Sequence, residues 1–139
     1  MLNDSNEIYQ SNAENNVAAK WTSPEVLLKG SYSFASEVWS FGVVMWEIYS
    51  FGGVPYYGMT NQDLITKFSK SEQVLLSKPK KCPDDIYAMM KQCWKVDVNE
   101  RITIETICDF LSKKNEYNNP TVVYHDDPSM INHDPTVYN

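Results

Sequence analysis

The longest apolar run of the chain, at residues 37–50, predicts a buried helix. Its apolar side chains point to every side of a helix of 3.6-residue period and do not form one stripe: Val38, Trp39, Phe41, Val43, Val44, Met45, Trp46, Ile48 and Tyr49. A helix that is apolar on all sides has to be surrounded by other groups. The run is shorter than the roughly 20 apolar residues of a membrane span, and two glutamates interrupt it. We therefore expect the central helix of a helical domain and no membrane span.

Capping residues and apolar periodicity predict four further helices around this one. Ser23, Pro24 and Gly30 have the residue types that start and stop a short helix, and Ser36 is a plausible cap for the central helix. Thr60 with Asp63 resembles a capping box. The predicted helices lie at residues 24–29, 37–50, 61–69, 84–95 and 103–112.

The last two helices are each expected to bury one apolar face. Pro83 and Thr103 stand where these helices begin. The apolar positions recur at helical spacing and are expected to face the core: Ile86, Met90, Cys93 and Trp94 in the first of the two, and Ile104, Ile107, Cys108 and Leu111 in the second. Cys93 and Cys108 are accordingly interpreted as packing residues.

Charge and composition exclude several classes of protein. The formal net charge of the 139 residues is −6, which disfavours binding to nucleic acid or to an anionic membrane. The acidic N-terminal residues do not resemble a secretory signal, and three cysteines without CxxC spacing fit free thiols in a reducing compartment. No metal site is expected. The basic turn at residues 78–81 either binds an anion or is a solvated loop.

The two ends of the chain are expected to be loop and tail. Residues 1–19 are rich in Asn, Ser and Glu, which is typical of loops. The apolar period is lost from residue 113, so residues 113–139 are expected to be a disordered tail. Each end carries tyrosines that are either ordinary polar-segment residues or modification sites: Tyr9, Tyr117, Tyr124 and Tyr138.

Five motifs in order resemble the C-terminal lobe of a protein tyrosine kinase over roughly residues 6–112. They are Lys-Trp-Thr-Ser-Pro-Glu at 20–25, Val-Trp-Ser-Phe-Gly-Val at 38–43, Trp-Glu-Ile-Tyr-Ser at 46–50, Val-Pro-Tyr-Tyr-Gly-Met-Thr-Asn at 54–61, and Cys-Pro at 82–83 with Cys-Trp at 93–94. The Lys-Trp pair favours the tyrosine-specific branch of the family. The resemblance implies a mainly α fold, the incomplete C-terminal helical lobe of the kinase fold, at residues 20–112.

The resemblance also implies roles for individual residues. Glu25 matches the glutamate of the family's Ala-Pro-Glu motif, whose ion-pair partner matches Arg101. Tyr9 lies eleven residues before Lys20, as the activation-loop phosphotyrosine does. The loop against which a substrate tyrosine docks is matched by Val17, Ala18, Ala19, Lys20 and Trp21.

Two departures from the family pattern bear on activity. The docking-loop proline is Ala18 here, and Glu37 replaces the aspartate that hydrogen-bonds the catalytic-loop backbone. The 139 residues also contain no Gly-x-Gly-x-x-Gly and no His-Arg-Asp, the motifs that hold ATP and supply the base. We therefore expect no catalytic, cofactor-binding or metal-binding residue in this chain, with ATP and Mg²⁺ belonging to the complete kinase.

The functional expectation is a C-terminal portion of a tyrosine kinase that is inactive by itself and whose partners are protein substrates with tyrosine. Its expected location is cytoplasmic, either in the cytosol or on the cytosolic side of a membrane receptor. The alternative is a non-catalytic kinase-like interaction module or pseudokinase that presents phosphotyrosine docking sites. Asn119 follows Tyr117 at the spacing that one class of phosphotyrosine-reading adaptor domains prefers. Such domains read the phosphate through arginine clusters, so adaptor proteins are the expected partners of the tail.

Overall fold

The computed structural model describes residues 19–118, which form a helical domain without a strand. A 3₁₀ turn at Ala19–Trp21 leads into the first of five α-helices. The helices are α1 at Pro24–Lys29, α2 at Phe34–Tyr49, α3 at Asn61–Ser69, α4 at Asp84–Cys93 and α5 at Ile104–Asn118. The prediction of a mainly α fold with five helices is confirmed for this part of the chain.

The central helix α2 begins three residues earlier than predicted, because Ser33 and not Ser36 is its cap. The Ser33 side chain accepts a hydrogen bond from the Ser36 backbone N–H at 3.3 Å, and Ser36 Oγ accepts one from the Ser33 N–H at 2.9 Å. These reciprocal bonds satisfy two donors that the first turn leaves without helical partners. The prediction that Ser36 caps α2 is therefore wrong, since Ser36 already lies in the first turn.

The other helix ends follow the expected capping chemistry. Gly30 ends α1 in the left-handed region at φ 66°, which glycine adopts without steric cost. Thr60 and Asp63 form the predicted reciprocal capping box at the start of α3. Thr103 Oγ1 accepts a hydrogen bond from the Thr106 N–H at 3.3 Å at the start of α5. The side chain of Ser23 makes no capping hydrogen bond, although Ser23 occupies the predicted cap position of α1.

The hydrophobic core lies mainly between α2 and α4, with α3 and α5 at its sides. Trp39 and Val43 of α2 are buried, as are Met90 and Cys93 of α4, and Trp39 meets Phe68 of α3 edge to face at 5.8 Å between ring centroids. The predicted core face of α4 is confirmed. This core fixes α2 as the element against which the N-terminal segment and the α4–α5 connection both pack.

The opposite side of α2 is apolar but uncovered within residues 19–118. Phe34, Val44 and Ile48 are exposed, and Phe41 is half-buried. These four residues recur at helical spacing and form one stripe along α2, which we name the open stripe. The expectation that α2 is surrounded on all sides is thus met on one side only by the described residues.

Helix α5 differs from its predicted form in its buried face and in its end. Ile107 is buried, but Ile104 and Cys108 are exposed, so the expectation that Cys108 packs in the core is wrong. The helix continues to Asn118, so residues 113–118 are helical and not tail. Lys114 Nζ lies 2.6 Å from Asp85 Oδ2 of α4, and this ion pair holds the added turn against the domain.

No helix within the described range 19–118 is long and apolar enough to cross a lipid bilayer.

Candidate functional site

The N-terminal segment of the described chain is fixed to the core at several points. Ala19 is fully buried, the Lys20 ammonium donates to the Tyr56 carbonyl at 3.4 Å, and Ser40 Oγ of α2 donates to the Trp21 carbonyl at 2.7 Å. Three of the five predicted docking-loop residues are therefore held in place by α2 and by the loop before α3. Val17 and Ala18 lie outside the described residues.

Helix α1 follows directly and places Glu25 in its first turn. Ser23 has extended backbone angles and Pro24 fits the first helical position, where the missing N–H has no helical acceptor to lose. A carboxylate in the first turn also lies at the positive end of the helix dipole. The local sequence therefore holds Glu25 at the N-terminal end of α1.

Arg101 reaches Glu25 from the connection between α4 and α5. Its Nη1 lies 2.7 Å from Glu25 Oε1 and its Nη2 lies 3.1 Å from Glu25 Oε2, a bidentate ion pair between residues 76 positions apart. The arginine side chain is fully buried, and 15% of the glutamate side chain is exposed. The structure thus brings together the two residues that the resemblance paired.

The guanidinium of Arg101 also binds the backbone that surrounds it. Nη1 donates to the Ala35 carbonyl at 2.8 Å, Nε to the Lys95 carbonyl at 2.9 Å, and Nη2 to the Val96 carbonyl at 3.5 Å. With Glu25, these contacts give an acceptor to each of the five N–H donors of the side chain. The Trp39 ring centroid lies 5.2 Å from the guanidinium carbon, within the range of a cation–π contact.

The electrostatics of the pair favour its charged form. Burial by itself raises the pKa of Glu25, but hydrogen bonds from Arg101 and from the backbone outweigh burial, so the pKa of Glu25 is lowered. A buried arginine without a counter-charge would be costly. The Glu25–Arg101 pair, which we name the anchor, therefore connects α1 to α2 and to the α4–α5 connection through one guanidinium.

Beside the anchor lies a polar depression of about 260 Å³. It is lined by Thr22, Ser23, Val26, Tyr32, Ser36, Glu37 and Ser40. Ser23 Oγ is buried and has no hydrogen-bond partner among residues 19–118. Hydroxyl and carboxylate oxygens can accept hydrogen bonds from the N–H groups of a further segment.

Several contributors to the site were not identified from the sequence. Trp39 and Ser40 were recognised as part of a motif, but their contacts with Arg101 and with the Trp21 carbonyl depend on the tertiary fold. Tyr56 is also buried, and burial raises the pKa of its hydroxyl. The sequence of residues 19–25 contains no pattern that predicts contacts with Trp39, Ser40 or Tyr56.

The remaining predicted residues are not brought into this site. Tyr9, Tyr124 and Tyr138 lie outside the described residues, and Tyr117 lies in the last turn of α5. Among residues 19–118 no group of three or more His, Cys, Asp and Glu is arranged to hold a metal ion.

Comparison with known proteins identifies the family of this fold. The family model described as protein tyrosine and serine/threonine kinase matches residues 1–111. The chain is 38% identical over 104 residues to the tyrosine-protein kinase FRK of Homo sapiens, with 75% of this chain and 20% of FRK covered. It is 44% identical over 85 residues to the transforming tyrosine kinase Fps of avian sarcoma virus strain PRCII, covering 61% of this chain and 16% of Fps.

A third relative extends the match along the chain. The transmembrane receptor tyrosine kinase Ror of Drosophila melanogaster is 39% identical over 112 residues, with 81% of this chain and 16% of Ror covered. The chain thus spans a fifth or less of the length of these three relatives. With a family match over residues 1–111 and a helical domain without strands at residues 19–118, the chain belongs to the protein tyrosine and serine/threonine kinase family.

Proposed function

We propose that this chain is the C-terminal helical lobe of a protein tyrosine kinase, where it holds the substrate-docking end of the activation segment. The observation that carries the proposal is the anchor. One buried arginine binds Glu25 of α1, the start of α2 and the α4–α5 connection at once. A segment fixed in this way presents residues 19–21 to a substrate in a defined position, which is what phosphoryl transfer to a chosen tyrosine requires.

The uncovered surfaces of the domain support this assignment. The open stripe of α2 is apolar, and the neighbouring polar depression contains Glu37 and an unpartnered Ser23 hydroxyl. Glu37 matches the family position whose carboxylate accepts hydrogen bonds from the catalytic-loop backbone. We assign both surfaces to contacts with the catalytic elements of the kinase, with the Glu37 carboxylate one methylene further from its backbone than an aspartate would be.

ATP would supply the transferred phosphoryl group, and Mg²⁺ would neutralise its developing charge. The residues of this chain contribute to positioning and not to nucleotide binding in the proposal. Lys20 and Trp21 orient the docking loop through Tyr56 and Ser40, and the anchor prevents α1 from moving away from α2. The proposed substrates are protein tyrosines, and the proposed location is the cytosol or the cytosolic side of a membrane.

A chimera tests the proposal. The 104 matching residues of human FRK are replaced by their counterpart from this chain, and ATP-dependent phosphorylation of a tyrosine-containing polymer is measured. We expect activity in the chimera and a loss of at least about tenfold with Arg101→Met, because a displaced docking loop costs about that much in rate. Lys29→Gln, at an exposed lysine of α1, is the matched control.

One outcome would count against the kinase assignment, and another against the expected inactivity of the isolated chain. A chimera that is folded and binds ATP but transfers no phosphate would favour the pseudokinase or interaction-module alternative. The 139 residues alone are expected to transfer no phosphate. Transfer by the purified chain above the level of its Glu25→Ala variant would refute that part of the proposal.

A further inference from the structure

An exposed aromatic ring and two exposed lysines lie together at the C-terminal end of α2. Lys81 Nζ is 5.7 Å from the centroid of the Phe51 ring, and Lys80 is its exposed neighbour. Trp46 Nε1 donates to the Ser77 carbonyl at 2.7 Å, so the loop of residues 77–81 runs along this end of α2. We name Phe51, Lys80 and Lys81 the Phe51 patch. Neither lysine forms an ion pair with another residue in the 19–118 range.

Phe51 is in an unusual conformation for its residue type. Its φ is 56° and 79% of its surface is exposed. The left-handed region is unfavourable for bulky side chains and is favoured by Gly and Asn. An exposed ring at such a position contributes little to the core while the backbone is strained. Backbone strain of this kind is found at functional positions. The exposed Phe51 ring is therefore a candidate for contact with another segment.

The C-terminal end of α5 approaches the same region of the domain. Lys114 of α5 is ion-paired with Asp85, and the adjacent Asp84 is ion-paired with Lys78 of the basic turn. Lys114 precedes Asn118 by one turn, about 6 Å along the helix axis. Asp85 is four residues after Lys81, at most about 15 Å along the chain. These two ion pairs therefore connect the last turns of α5 to the basic turn that carries Lys80 and Lys81.

The residues that follow α5 have the chemistry that complements the patch. Residues 119–139 contain Asp126, Asp127 and Asp134 and neither Lys nor Arg, and only His125 separates the apolar run 122–124 from the first aspartates. Asp126 is eight residues after Asn118, a reach of about 26 Å when extended. The charge, the apolar content and the length of residues 119–139 are therefore all suited to binding the Phe51 patch.

We infer that residues 119–139 bind the Phe51 patch of their own chain. The inferred contacts are those of the apolar run 122–124 with the Phe51 ring and of the Asp126 and Asp127 carboxylates with Lys80 and Lys81. Each exposed ion pair contributes little by itself. A covalent tether, however, supplies an effective concentration on the order of millimolar, so weak contacts suffice for binding within one chain. The inference does not depend on the proposed kinase function.

Carbodiimide cross-linking of the full chain tests the inference, since the reagent joins a carboxylate to an amine only where the two are in contact. We expect amide bonds from Lys80 or Lys81 to Asp126 or Asp127, identified by mass spectrometry. An equimolar mixture of ¹⁴N and ¹⁵N chains shows whether each bond lies within one copy. The cross-link between Lys67 and Glu72, which are 3.0 Å apart, is the internal reference for yield.

Two variants separate binding from folding. Phe51→Asn removes the ring and suits the left-handed backbone, so we expect unchanged or higher stability. We also expect the yield of the cross-link to fall at least about threefold, because the apolar contact with the ring is lost. Phe34→Asn, at an exposed phenylalanine at the other end of α2, should leave the yield unchanged. Raising NaCl from about 0.05 to 0.5 M should also lower it.

Three results would overturn the inference. Cross-links formed only between ¹⁴N and ¹⁵N chains would assign the patch to a second copy. Bonds spread evenly over all exposed lysines would mean that residues 119–139 have no preferred site. Equal yields for Phe51→Asn and the unsubstituted chain would show that the ring is not part of the contact.

Discussion

Arg101 connects several separate segments of the described domain. Its guanidinium contacts Glu25, three backbone carbonyls and the Trp39 ring. Removing Arg101 would leave the Glu25 carboxylate without a counter-charge and the buried carbonyl groups without hydrogen-bond donors. Loss of one partner of a buried pair is more costly than loss of both, because the remaining charge has no counter-charge.

A double-mutant cycle measures this dependence. We expect Arg101→Met to lower the free energy of unfolding of the chain by about 3 kcal/mol, and Arg101→Met with Glu25→Gln to cost less than the sum of the single changes. Arg101→Lys keeps the charge but cannot donate the two parallel hydrogen bonds of a guanidinium. Its free energy of unfolding should therefore lie between those of the unsubstituted chain and Arg101→Met. Urea unfolding followed by tryptophan fluorescence gives the values. Additive effects would show that the two side chains act independently.

The lowered pKa of Glu25 makes part of the stability depend on pH. The unfolded chain takes up a proton at Glu25 near the ordinary pKa of 4.5, whereas in the folded chain burial is outweighed by the Arg101 hydrogen bonds and the pKa lies lower. The stabilisation is therefore complete above the unfolded pKa and is lost as the pH falls through the folded pKa.

Comparison of the unsubstituted chain with Glu25→Gln isolates this contribution. The stability advantage of the unsubstituted chain should be constant from pH 7 to about pH 5 and should shrink below that. Hydrogen bonds from Thr60 and from Lys114 also lower the pKa of Asp63 and of Asp85, but both groups are present in both proteins. An advantage that grows on acidification would contradict the assigned direction of the shift.

At the scale of whole elements, the contact between α2 and α4 depends on the absence of a side chain at Gly42. A Cβ added there would lie 2.6 Å from Cys93 Cβ and 2.8 Å from Trp94 Nε1. Alanine is the better helix former by about 1 kcal/mol, but separating two packed helices costs about 1–3 kcal/mol. The two effects have opposite signs, and the steric effect is the larger because both neighbours are buried.

We therefore expect Gly42→Ala to lower the urea midpoint of the chain, against the helix-propensity trend. Val44→Ala, on the open stripe of the same helix, is the matched control and should change stability by less than about 1 kcal/mol, since its side chain is already exposed. A stabilised Gly42→Ala variant would mean that α2 and α4 are further apart than the structure has them.

The orientation of α5 is tested by the reactivity of the three thiols. Cys108 is exposed, whereas Cys82 and Cys93 are buried, and burial raises the pKa of Cys93 to about 12 and also raises that of Cys82. The thiolate is the reactive form. One thiol should therefore react rapidly with a disulfide reagent at pH 8 under native conditions, and Cys108→Ser should abolish this phase. Three rapidly reacting thiols would indicate an open core.

These elements also show how far the sequence could predict the fold. Caps and apolar periodicity located all five helices, because such signals lie within a few residues of each helix end. The start of α2 was misplaced since two serines three residues apart both suit a cap. The face of α5 was misplaced because Ile104 and Cys108 fit the same period as the buried residues, and only the position of α4 decides between them.

The candidate site was predictable to a smaller extent. Glu25 and Arg101 are 76 residues apart, and their pairing came from the resemblance to a family and not from any local pattern. The acceptors of the other guanidinium donors are backbone carbonyls, which every residue has. No side-chain pattern could distinguish the carbonyls of Ala35, Lys95 and Val96 from the rest.

At the scale of the whole molecule, the central helix has two apolar sides and the described residues cover one. Within residues 19–118 the open stripe of Phe34, Phe41, Val44 and Ile48 is covered only in part, because Phe41 packs at the edge of the core and the other three side chains are exposed. Under the proposed function, the same side chains are interior residues of a complete kinase. Polar substitutions in the stripe should therefore be tolerated in this chain and should destabilise the complete kinase.

The double change Val44→Gln with Ile48→Gln tests this difference in tolerance. In the 139-residue chain it should leave the urea midpoint nearly unchanged and reduce binding of a hydrophobic fluorescent dye, since it only removes exposed apolar area. In the chimera with human FRK it should lower stability by about 3–6 kcal/mol, since each of the two buried aliphatic side chains contributes about 1.5–3 kcal/mol. Val38→Ala, at a buried position of the same helix, should destabilise both proteins and serves as the control. Equal tolerance of the double change in both proteins would show that the stripe faces solvent in the kinase too, and the surface assigned to the catalytic elements would then have to lie elsewhere.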